Sequence, residues 1–288
     1  MTGAWVDRLE AASSRLRLDD VQAWVFDVDG CLVRTDLPGG EGGTAIDGAA
    51  ALVAKVKGAG HRVVCCTNGA IRPPAAYAAG LRQVGIDISE TEMVTPASAG
   101  AHAIARRHPG APVLVLGGPG MVEPLRSAGL PLVEAQREPA RVVVVGPKPS
   151  YTAPEIDAAC QAVSAGAPFY VTVRTPWFYG GGKRTASATS LIGVGISWLT
   201  GAIPELLGKP SQIMNEFLLA HLETDPGRLV VVGDSLDAEV RMAADLGAQS
   251  VLVRSGAPTH DQVQGAGSPT VIVDHVGELL RILDSKLP

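Results

Sequence analysis

The sequence lacks several features that would mark it as a nucleic-acid-binding, secreted or membrane protein. Its 24 Lys and Arg residues stand against 29 Asp and Glu residues, which gives a net charge of −5, and no stretch is rich in Lys and Arg. This mild acidity argues against a nucleic acid or an anionic membrane as partner. The first twenty residues do not follow the charged-then-apolar order of a signal peptide. The sequence therefore predicts a cytoplasmic protein.

Long apolar runs and metal-binding patterns of cysteine or histidine are also absent. The longest apolar stretch, residues 191–207, is interrupted by glycines and by Pro204. This pattern favours a buried helix and its exit over a membrane span. The four cysteines have no metal-ligand spacing, and we interpret them as reduced core thiols. The six histidines include no His-x-x-x-His pair, which disfavours a hydrolytic metal centre built on histidine.

What the sequence does contain is an alternation of short apolar runs and helix-like segments. Residues 23–26, 62–66 and 228–232 are typical of buried strands, and helical patterns that end in glycine lie between such runs. This alternation is typical of a parallel sheet covered by helices. The predicted fold class is therefore α/β, with a Rossmann-like parallel sheet.

Three of these runs end abruptly in polar residues that can carry chemistry. The residues at the three ends are Asp27 and Asp29, Thr67 and Asn68, and Asp234. The carboxyl ends of parallel strands lie at one edge of a sheet, where ligands bind, so we expect the three groups to meet in one crevice. A helix N-cap would explain a single polar ending. Three in one chain, two of which carry carboxylates, favour a functional site.

The aspartates and a lysine predict a site for a hard cation and a phosphoryl group. In an extended segment Asp27 and Asp29 point to the same side. Together with Asp234 they form an oxygen-rich site that suits Mg²⁺, which keeps waters and bridges to phosphate oxygens. Lys209 precedes a predicted helix, where it can neutralise a phosphoryl group beside the helix N-terminus. Alone, a lysine in that position is more often a solvated surface residue.

Taken in chain order, the three polar strand ends and Lys209 resemble the four motifs of the haloacid dehalogenase (HAD) superfamily. They are most similar to the motifs of its NagD-like subgroup of phosphatases. Asp27-x-Asp29-Gly30 resembles the first motif, Thr67-Asn68 the second, Lys209 the third and Gly233-Asp234 the fourth. The resemblance covers nearly the whole chain. Each motif is short, and the ordered set of four is what makes the resemblance specific.

The resemblance implies a catalytic role for each aspartate. Asp27 would attack phosphorus and form an aspartyl-phosphate. Asp29 would protonate the leaving oxygen and then act as the base toward the hydrolytic water. Asp27, the Asp29 carbonyl and Asp234 would ligate Mg²⁺.

The resemblance also implies how phosphate is bound and what is hydrolysed. Thr67, Asn68 and Lys209 would hold the phosphoryl group. The substrate would be a small phosphorylated metabolite of the sugar phosphate, glycerol phosphate or phosphoglycolate type. Two alternatives remain: a phosphotransferase or mutase on the same scaffold, and a non-catalytic protein that binds a phosphometabolite. The presence of both Asp27 and Asp29 argues against the second alternative.

The spacing of the motifs indicates where an inserted domain lies. Thr67 follows Asp27 by 40 positions, too few for an inserted domain after one helix, whereas Lys209 follows Thr67 by 142, far more than one βαβ crossover needs. We therefore predict a discontinuous catalytic core of residues 1–96 and 201–288 and an α/β cap of residues 97–200, which would select the leaving group. By analogy with the NagD-like subgroup, homodimers would form through the cap.

The chain departs from the subgroup's pattern in two places: after the fourth motif, near the predicted metal site, and in the part of the cap that would determine substrate specificity. Asp237 and Glu239 follow the fourth motif and are candidate supporting carboxylates for the metal site. In the cap, basic and aromatic residues are interleaved; they are Arg174, Trp177, Tyr179, Lys183 and Arg184. This segment either recognises an anionic or sugar-like leaving group or is a solvated basic loop. Residues 39–43, after the first motif, are either a flap over the site or a plain loop.

Overall fold

The computed structural model describes residues 13–35, 43–180, 183–256 and 267–287. Of the predicted flap at residues 39–43, all but Gly43 lies outside the described residues. The chain divides into two compact units. The first comprises Met1–Cys66, Ala78–Met93 and Leu218–Pro288, and the second comprises Thr67–Tyr77 and Val94–Phe217. The assignment of residues 97–200 as a specificity cap stays a prediction.

Short strands and helices alternate along the chain. The strands are β1 (Ala23–Phe26), β2 (Val33–Arg34), β3 (Thr44–Ala45), β4 (Arg62–Cys66), β5 (Met93–Val94), β6 (Val113–Leu116), β7 (Leu132–Val133), β8 (Val142–Val145), β9 (Phe169–Val171), β10 (Trp177–Gly180), β11 (Lys183–Ala186), β12 (Glu205–Leu206), β13 (Leu229–Gly233), β14 (Gln249–Val253) and β15 (Val271–Val273). The helices are α1 (Ala49–Gly58), α2 (Pro74–Gln83), α3 (Pro96–Arg107), α4 (Pro119–Ser127), α5 (Ala153–Ser164), α6 (Ala188–Thr200), α7 (Gln212–His221), α8 (Arg241–Asp245) and α9 (Val276–Asp284). A π-helical turn, Leu236–Val240, precedes α8.

One sheet has the strand order β15-β14-β13-β1-β4-β5. Strand β1 lies between β13 and β4 and is parallel to both, with Phe26 opposite Val232 and Cys65. All four residues of β1 are buried, because a central strand of a helix-covered parallel sheet has no solvent face. Trp24 and Phe26 stack on one side of it, with ring centroids 5.8 Å apart. This sheet confirms the predicted α/β class.

The other large sheet belongs to the second unit and has the order β12-β9-β8-β6-β7. Its strands are also parallel, and the central strand β8 is a run of four buried valines. Valine suits such a strand because its branched side chain packs well on a pleated surface. Side chains of α5 and α6 cover one face, where Ala159, Val163 and Ile196 join the core. The second unit therefore contains a parallel sheet with its own helices.

The helices begin at residues that satisfy their free N–H groups. Thr95 accepts a hydrogen bond from the backbone N–H of Ser98 at 3.3 Å and begins α3. Thr152 and Glu155 form a reciprocal capping box at α5, which satisfies two N–H groups at once. Helix α6 ends at Gly201, which has a φ of 71°, a conformation that glycine adopts at low cost.

Two segments differ from what the sequence pattern predicts. Strands β10 and β11 form an antiparallel hairpin that the pattern does not indicate. Helix α6 is only half-buried, since Leu191, Val194 and Trp198 are exposed, so the prediction of a buried helix there was wrong for one face. Within the described residues, no helix is both long enough and apolar enough to cross a membrane.

The cysteines behave as the sequence indicated. None of the four forms a disulfide, and Cys31, Cys65 and Cys66 are buried. Burial raises the pKa of the Cys65 thiol, because the thiolate would lose its hydration, and the nearby Glu92 carboxylate acts in the same direction. The interpretation of these three as core thiols is confirmed, while Cys160 is half-buried.

Gly120, in the first turn of α4, allows the segment after Thr67 to approach this helix. A Cβ atom at Gly120 would lie 2.3 Å from the carbonyl oxygen of Ala70 and 2.6 Å from both the N and the O of Arg72. These are rigid backbone atoms, so a side chain could fit only if the segment moved. Gly120 therefore fixes the position of the backbone that leads away from Thr67.

We expect Gly120→Ala to lower the free energy of unfolding by about 2 kcal/mol, the usual cost of forcing extra atoms into a packed contact. Gly80→Ala is the matched control, since Gly80 lies inside α2 and its Cβ would meet nothing within 4 Å. Alanine should stabilise that helix by up to about 1 kcal/mol. Urea unfolding of both variants tests this, and equal stability of the two would contradict it.

Candidate active site

The carboxylates of Asp27 and Asp234 stand at the ends of two adjacent parallel strands. Asp27 directly follows β1, and its backbone N–H donates a hydrogen bond to the carbonyl oxygen of Val232 in β13 at 2.8 Å. Asp234 directly follows the last residue of β13. Asp27 is nearly buried. The pairing of β1 with β13 therefore brings two of the predicted acidic residues to one edge of the sheet.

The turn after β1 is tight and depends on a glycine. Gly30 has a φ of 80°, which glycine adopts most readily, and its N–H donates to the carbonyl of Val33 at 2.8 Å. A Cβ atom at Gly30 would lie 2.6 Å from Asp234 Oδ2. The Ser255 hydroxyl donates to the Gly30 carbonyl at 2.7 Å. The loop after β14 thus holds the first motif in place.

Asp29 receives a hydrogen bond that the sequence analysis did not anticipate. The Thr35 hydroxyl donates to Asp29 Oδ1 at 3.0 Å, and both residues are half-buried. Such a hydrogen bond holds the carboxyl group in one orientation. Thr35 lies outside the four motifs, and nothing in its neighbourhood of the sequence distinguishes it from an ordinary loop threonine.

Asp234 lies against Gly30 and Gly256, and the buried Glu239 contacts the residues on either side of Asp234. A Cβ atom at Gly256 would lie only 1.7 Å from Asp234 Oδ2, and one at Gly233 would lie 2.2 Å from Glu239 Cγ. The buried Glu239 carboxylate accepts a hydrogen bond from the backbone N–H of Ser235 at 3.1 Å. Glu239 therefore positions the segment that carries Asp234, whereas Asp237, the other predicted supporting carboxylate, is exposed.

The backbone departs from the predicted helix at this point. The pattern predicts a regular helix over residues 237–246, but Leu236–Val240 is a π-helical turn that leads into α8. The Ser235 hydroxyl accepts a hydrogen bond from the N–H of Ala238 at 3.2 Å. Single π-turns are frequent at functional sites, and this one carries Glu239 back toward Ser235.

The predicted phosphate-binding residues lie in the second unit, and two of them are joined directly. Asn68 Oδ1 accepts the backbone N–H of Lys209 at 2.7 Å, and Asn68 Nδ2 donates to the Lys209 carbonyl at 2.9 Å. Lys209 is 4% exposed. The buried Thr67 hydroxyl accepts the N–H of Gly69 at 2.9 Å. Asn68 thus fixes the backbone of Lys209, and its own contact with phosphate stays a prediction.

Gly208 makes that pairing possible. A Cβ atom there would lie 2.5 Å from Asn68 Oδ1 and 2.5 Å from the carbonyl oxygen of Thr172, to which the Gly208 N–H donates at 3.0 Å. Only glycine leaves room for the Asn68 amide beside the strand that ends at Val171. The glycine before Lys209 is therefore as necessary to this arrangement as Asn68 itself.

Comparisons with known proteins identify the family of this chain. The haloacid dehalogenase-like hydrolase family matches residues 24–131, and a second HAD-hydrolase-like family matches residues 206–279. An acid sugar phosphatase from Staphylococcus epidermidis is 30% identical over 251 residues, which cover 86% of this chain and 92% of that protein. The chain belongs to the haloacid dehalogenase-like hydrolases.

Solved structures of this family agree with the predicted subgroup. A p-nitrophenyl phosphatase from Archaeoglobus fulgidus has a TM-score of 0.80 and 26% identity, covering 91% of this chain and 99% of that one. NagD from E. coli K-12 shares the fold, with a TM-score of 0.77 and 24% identity over 90% of this chain and 98% of its own. The predicted NagD-like resemblance and the prediction of a hydrolytic enzyme of this family are confirmed.

The basic and aromatic residues of the predicted specificity segment lie on and before the hairpin. Arg174 and Trp177 are exposed. In the backbone register Trp177 lies opposite Ala186, and Tyr179 lies opposite Arg184. Lys183, the lysine of the set, begins β11. Strand pairing therefore places Trp177, Tyr179, Lys183 and Arg184 on one hairpin, while a role in recognising the leaving group stays a prediction.

The carboxylates of Asp27 and Asp234 and the carbonyl of Asp29 are hard oxygen donors, which suit a divalent cation such as Mg²⁺, and a metal site here stays a prediction. Among the residues that the structure describes, no three or more His, Cys, Asp or Glu side chains are grouped to hold a metal. The predicted ligand set needs only two carboxylates, from Asp27 and Asp234, and the Asp29 carbonyl, with waters completing the shell of Mg²⁺. Gly30 and Gly256 have no side chain that would collide with Asp234 Oδ2, so the Asp234 carboxylate can keep its position at the strand end.

We expect Gly256→Ala to displace the Asp234 carboxylate, because its new Cβ atom would overlap Asp234 Oδ2. Hydrolysis of p-nitrophenyl phosphate should fall by about 100-fold, as a shift near 1 Å in a catalytic group can cause, and more Mg²⁺ should be needed for half-maximal activity. Gly58→Ala, where a Cβ meets nothing within 4 Å, is the control. Unchanged Mg²⁺ dependence in a folded Gly256→Ala variant would contradict this expectation.

Proposed function

We propose that this chain is a Mg²⁺-dependent phosphatase that hydrolyses a small phosphorylated metabolite through an aspartyl-phosphate on Asp27. The observation that supports this most directly is the placement of Asp27 and Asp234 at the ends of adjacent parallel strands. Asp29, two residues after Asp27, is oriented by Thr35. Because the two aspartates are two positions apart, Asp27 can act as the nucleophile while Asp29 transfers protons.

In the first step, an Asp27 oxygen attacks phosphorus while the ester P–O bond breaks. Asp29 gives its proton to the leaving oxygen, so the metabolite departs as a neutral alcohol. In the second step, Asp29, now ionised, takes a proton from water, whose oxygen attacks phosphorus. The Asp27–phosphorus bond then breaks and inorganic phosphate is released. The Thr35 hydroxyl holds Asp29 in one orientation through both transfers.

Both steps bring a carboxylate or a water toward an anionic phosphoryl group, so positive charge is required. When bound, Mg²⁺ supplies part of that charge and lowers the repulsion between Asp27 and phosphate. Lys209 supplies the rest, and Thr67 contributes a hydroxyl to the phosphoryl oxygens. Because Lys209 is almost completely buried, its charge is screened by little water and acts strongly on a nearby anion. Asn68 keeps Lys209 in register for this role.

The class of substrate follows from the relatives and from the hairpin. Among the relatives are an acid sugar phosphatase and a p-nitrophenyl phosphatase, both of which act on small phosphoesters. Arg174 and Trp177, exposed on and before the hairpin, suit an anionic or sugar-like leaving group, since a cation pairs with charge and an indole ring stacks on a sugar or aromatic face. We therefore assign a sugar phosphate, glycerol phosphate or phosphoglycolate type of substrate.

We expect Asp27→Asn to abolish turnover, with a loss of at least about 10⁴-fold in kcat, as for other covalent nucleophiles. The test is a screen of phosphorylated metabolites with Mg²⁺, comparing the wild type with this variant. Asp245→Asn makes the same chemical change at an exposed carboxylate of α8 and should retain activity. An active Asp27→Asn variant would exclude nucleophilic catalysis by this residue.

We expect Asp29→Ala to slow esters with poor leaving groups much more than p-nitrophenyl phosphate, because nitrophenolate departs without a proton. The ratio of the two rates should change by about 100-fold or more, the usual contribution of general acid catalysis. Thr35→Val should shift the same ratio in the same direction by a smaller factor. Equal losses for both kinds of ester in Asp29→Ala would rule out its role as the acid.

A further inference from the structure

The segment that follows Thr67 turns back on itself, so that a tyrosine of α2 contacts it. Tyr77 lies in the first turn of α2, where its backbone N–H donates to the Pro73 carbonyl at 3.3 Å. This tyrosine is 4% exposed. A Cβ atom at Gly69 would lie 2.7 Å from the Tyr77 hydroxyl oxygen and 3.1 Å from Tyr77 Cζ. The hydroxyl end of the ring therefore packs directly on the backbone of Gly69.

Gly69 in turn orients the Thr67 hydroxyl. The Gly69 N–H donates to Thr67 Oγ1 at 2.9 Å. A hydroxyl has one proton to donate and two acceptor positions. Because the Gly69 N–H occupies one acceptor position, the hydroxyl proton of Thr67 is directed away from Gly69, where it can be donated to a phosphoryl oxygen. A displacement of Gly69 would therefore change the direction in which Thr67 donates.

The residues on either side of Gly69 are held by contacts of other kinds. Asn68 is held by its two hydrogen bonds to backbone groups, and the carbonyl of Ala70 lies against Gly120. At Gly69 itself, the two atoms nearest to the Cβ position both belong to Tyr77. The tyrosine therefore supports the one residue of this short segment that bonds the catalytic hydroxyl.

The ring of Tyr77 is itself held by a cation from the same segment. The guanidinium carbon of Arg72 lies 5.2 Å from the centroid of the ring, within the distance at which a cation is attracted to an aromatic face. The backbone of Arg72 lies against Gly120, so the residue that covers the ring is also fixed. Burial and this contact together keep the tyrosine hydroxyl on Gly69.

We propose that Tyr77 is a positioning residue that aligns the Thr67 hydroxyl for phosphate through its contact with Gly69. This inference rests on the proposed function, in which Thr67 donates to a phosphoryl oxygen, and adds the side chain that keeps this donor aligned. Thr67 would contact the phosphoryl group both in the bound substrate and in the transition state. Loss of its alignment should therefore raise KM much more than it lowers kcat.

Calorimetric titration of the full chain with inorganic phosphate in the presence of Mg²⁺, together with kinetics on p-nitrophenyl phosphate, tests the proposal. Tyr77→Phe should raise the dissociation constant of phosphate and the KM by about 10-fold each, the effect of losing a hydrogen bond to a charged group, while kcat changes much less. Tyr170→Phe is the matched control. It removes the hydroxyl of another buried tyrosine of the same unit, which lies 2.8 Å from His108 Nε2. This control should lower the thermal midpoint and leave phosphate affinity unchanged.

Gly69→Ala tests the same contact from the opposite side. Alanine can adopt the φ of Gly69, which lies outside the left-handed region, but its Cβ atom would press on the Tyr77 hydroxyl. Phosphate binding should weaken by about 10-fold, as in Tyr77→Phe. In the double variant, the Cβ atom takes the space of the missing hydroxyl, so the loss should stay near 10-fold. Two independent losses would multiply to about 100-fold.

Thr67→Val distinguishes a failure of this proposal from a failure of the proposed function. It should weaken phosphate binding at least as much as Tyr77→Phe. If Thr67→Val weakens binding and Tyr77→Phe does not, or if the losses multiply in the double variant, the role of Tyr77 is refuted and the proposed function stands. If Thr67→Val binds phosphate like the wild type, Thr67 is not a phosphate ligand, and its role in the proposed function fails together with that of Tyr77.

Discussion

The candidate site depends on the parallel pairing of β1 with β13. The two strands are far apart in sequence, and the hydrogen bond from the Asp27 N–H to the Val232 carbonyl extends their ladder to the residue where chemistry begins. Because the strands are parallel, both of their polar ends lie at the same edge, and two carboxylates share a neighbourhood that neither strand could create alone. Two like charges in one neighbourhood repel each other, which supports our proposal that a cation binds there.

Glycines at close backbone contacts determine where the polar side chains of the candidate site lie. Gly30 and Gly256 approach Asp234 so closely that a methyl group at either position would collide with its carboxylate. In the second unit, Gly208 leaves room for the Asn68 amide to bond both backbone groups of Lys209. In both units, polar side chains are held by backbone that comes closer than any side chain would allow. The geometry of these charged groups is thus set largely by where side chains are absent.

The sequence was sufficient to predict the parts of the fold and the candidate site that are encoded locally. Strand β1 and the aspartates after it could be recognised because an apolar run that ends in acidic residues is a pattern within a few positions. Thr35 could not be recognised, because its bond to Asp29 exists only after the turn at Gly30 folds the chain back. The exposed side of α6 escaped prediction for a related reason. A sequence pattern that is apolar on all sides of a helix predicts a buried helix. Which side is exposed to water depends on how the whole unit packs.

The crowding around Asp234 has a consequence for how distant relatives are recognised. The three aspartates of the motifs can keep their places only where the neighbouring residues leave room for them. A chain that kept all three but carried a larger residue at the position of Gly256 would have no space for the third carboxylate, and we would expect it to be a pseudoenzyme that has kept the scaffold. Gly256 lies outside the four motifs. Its presence is nevertheless a useful sign that a related chain is an active phosphatase.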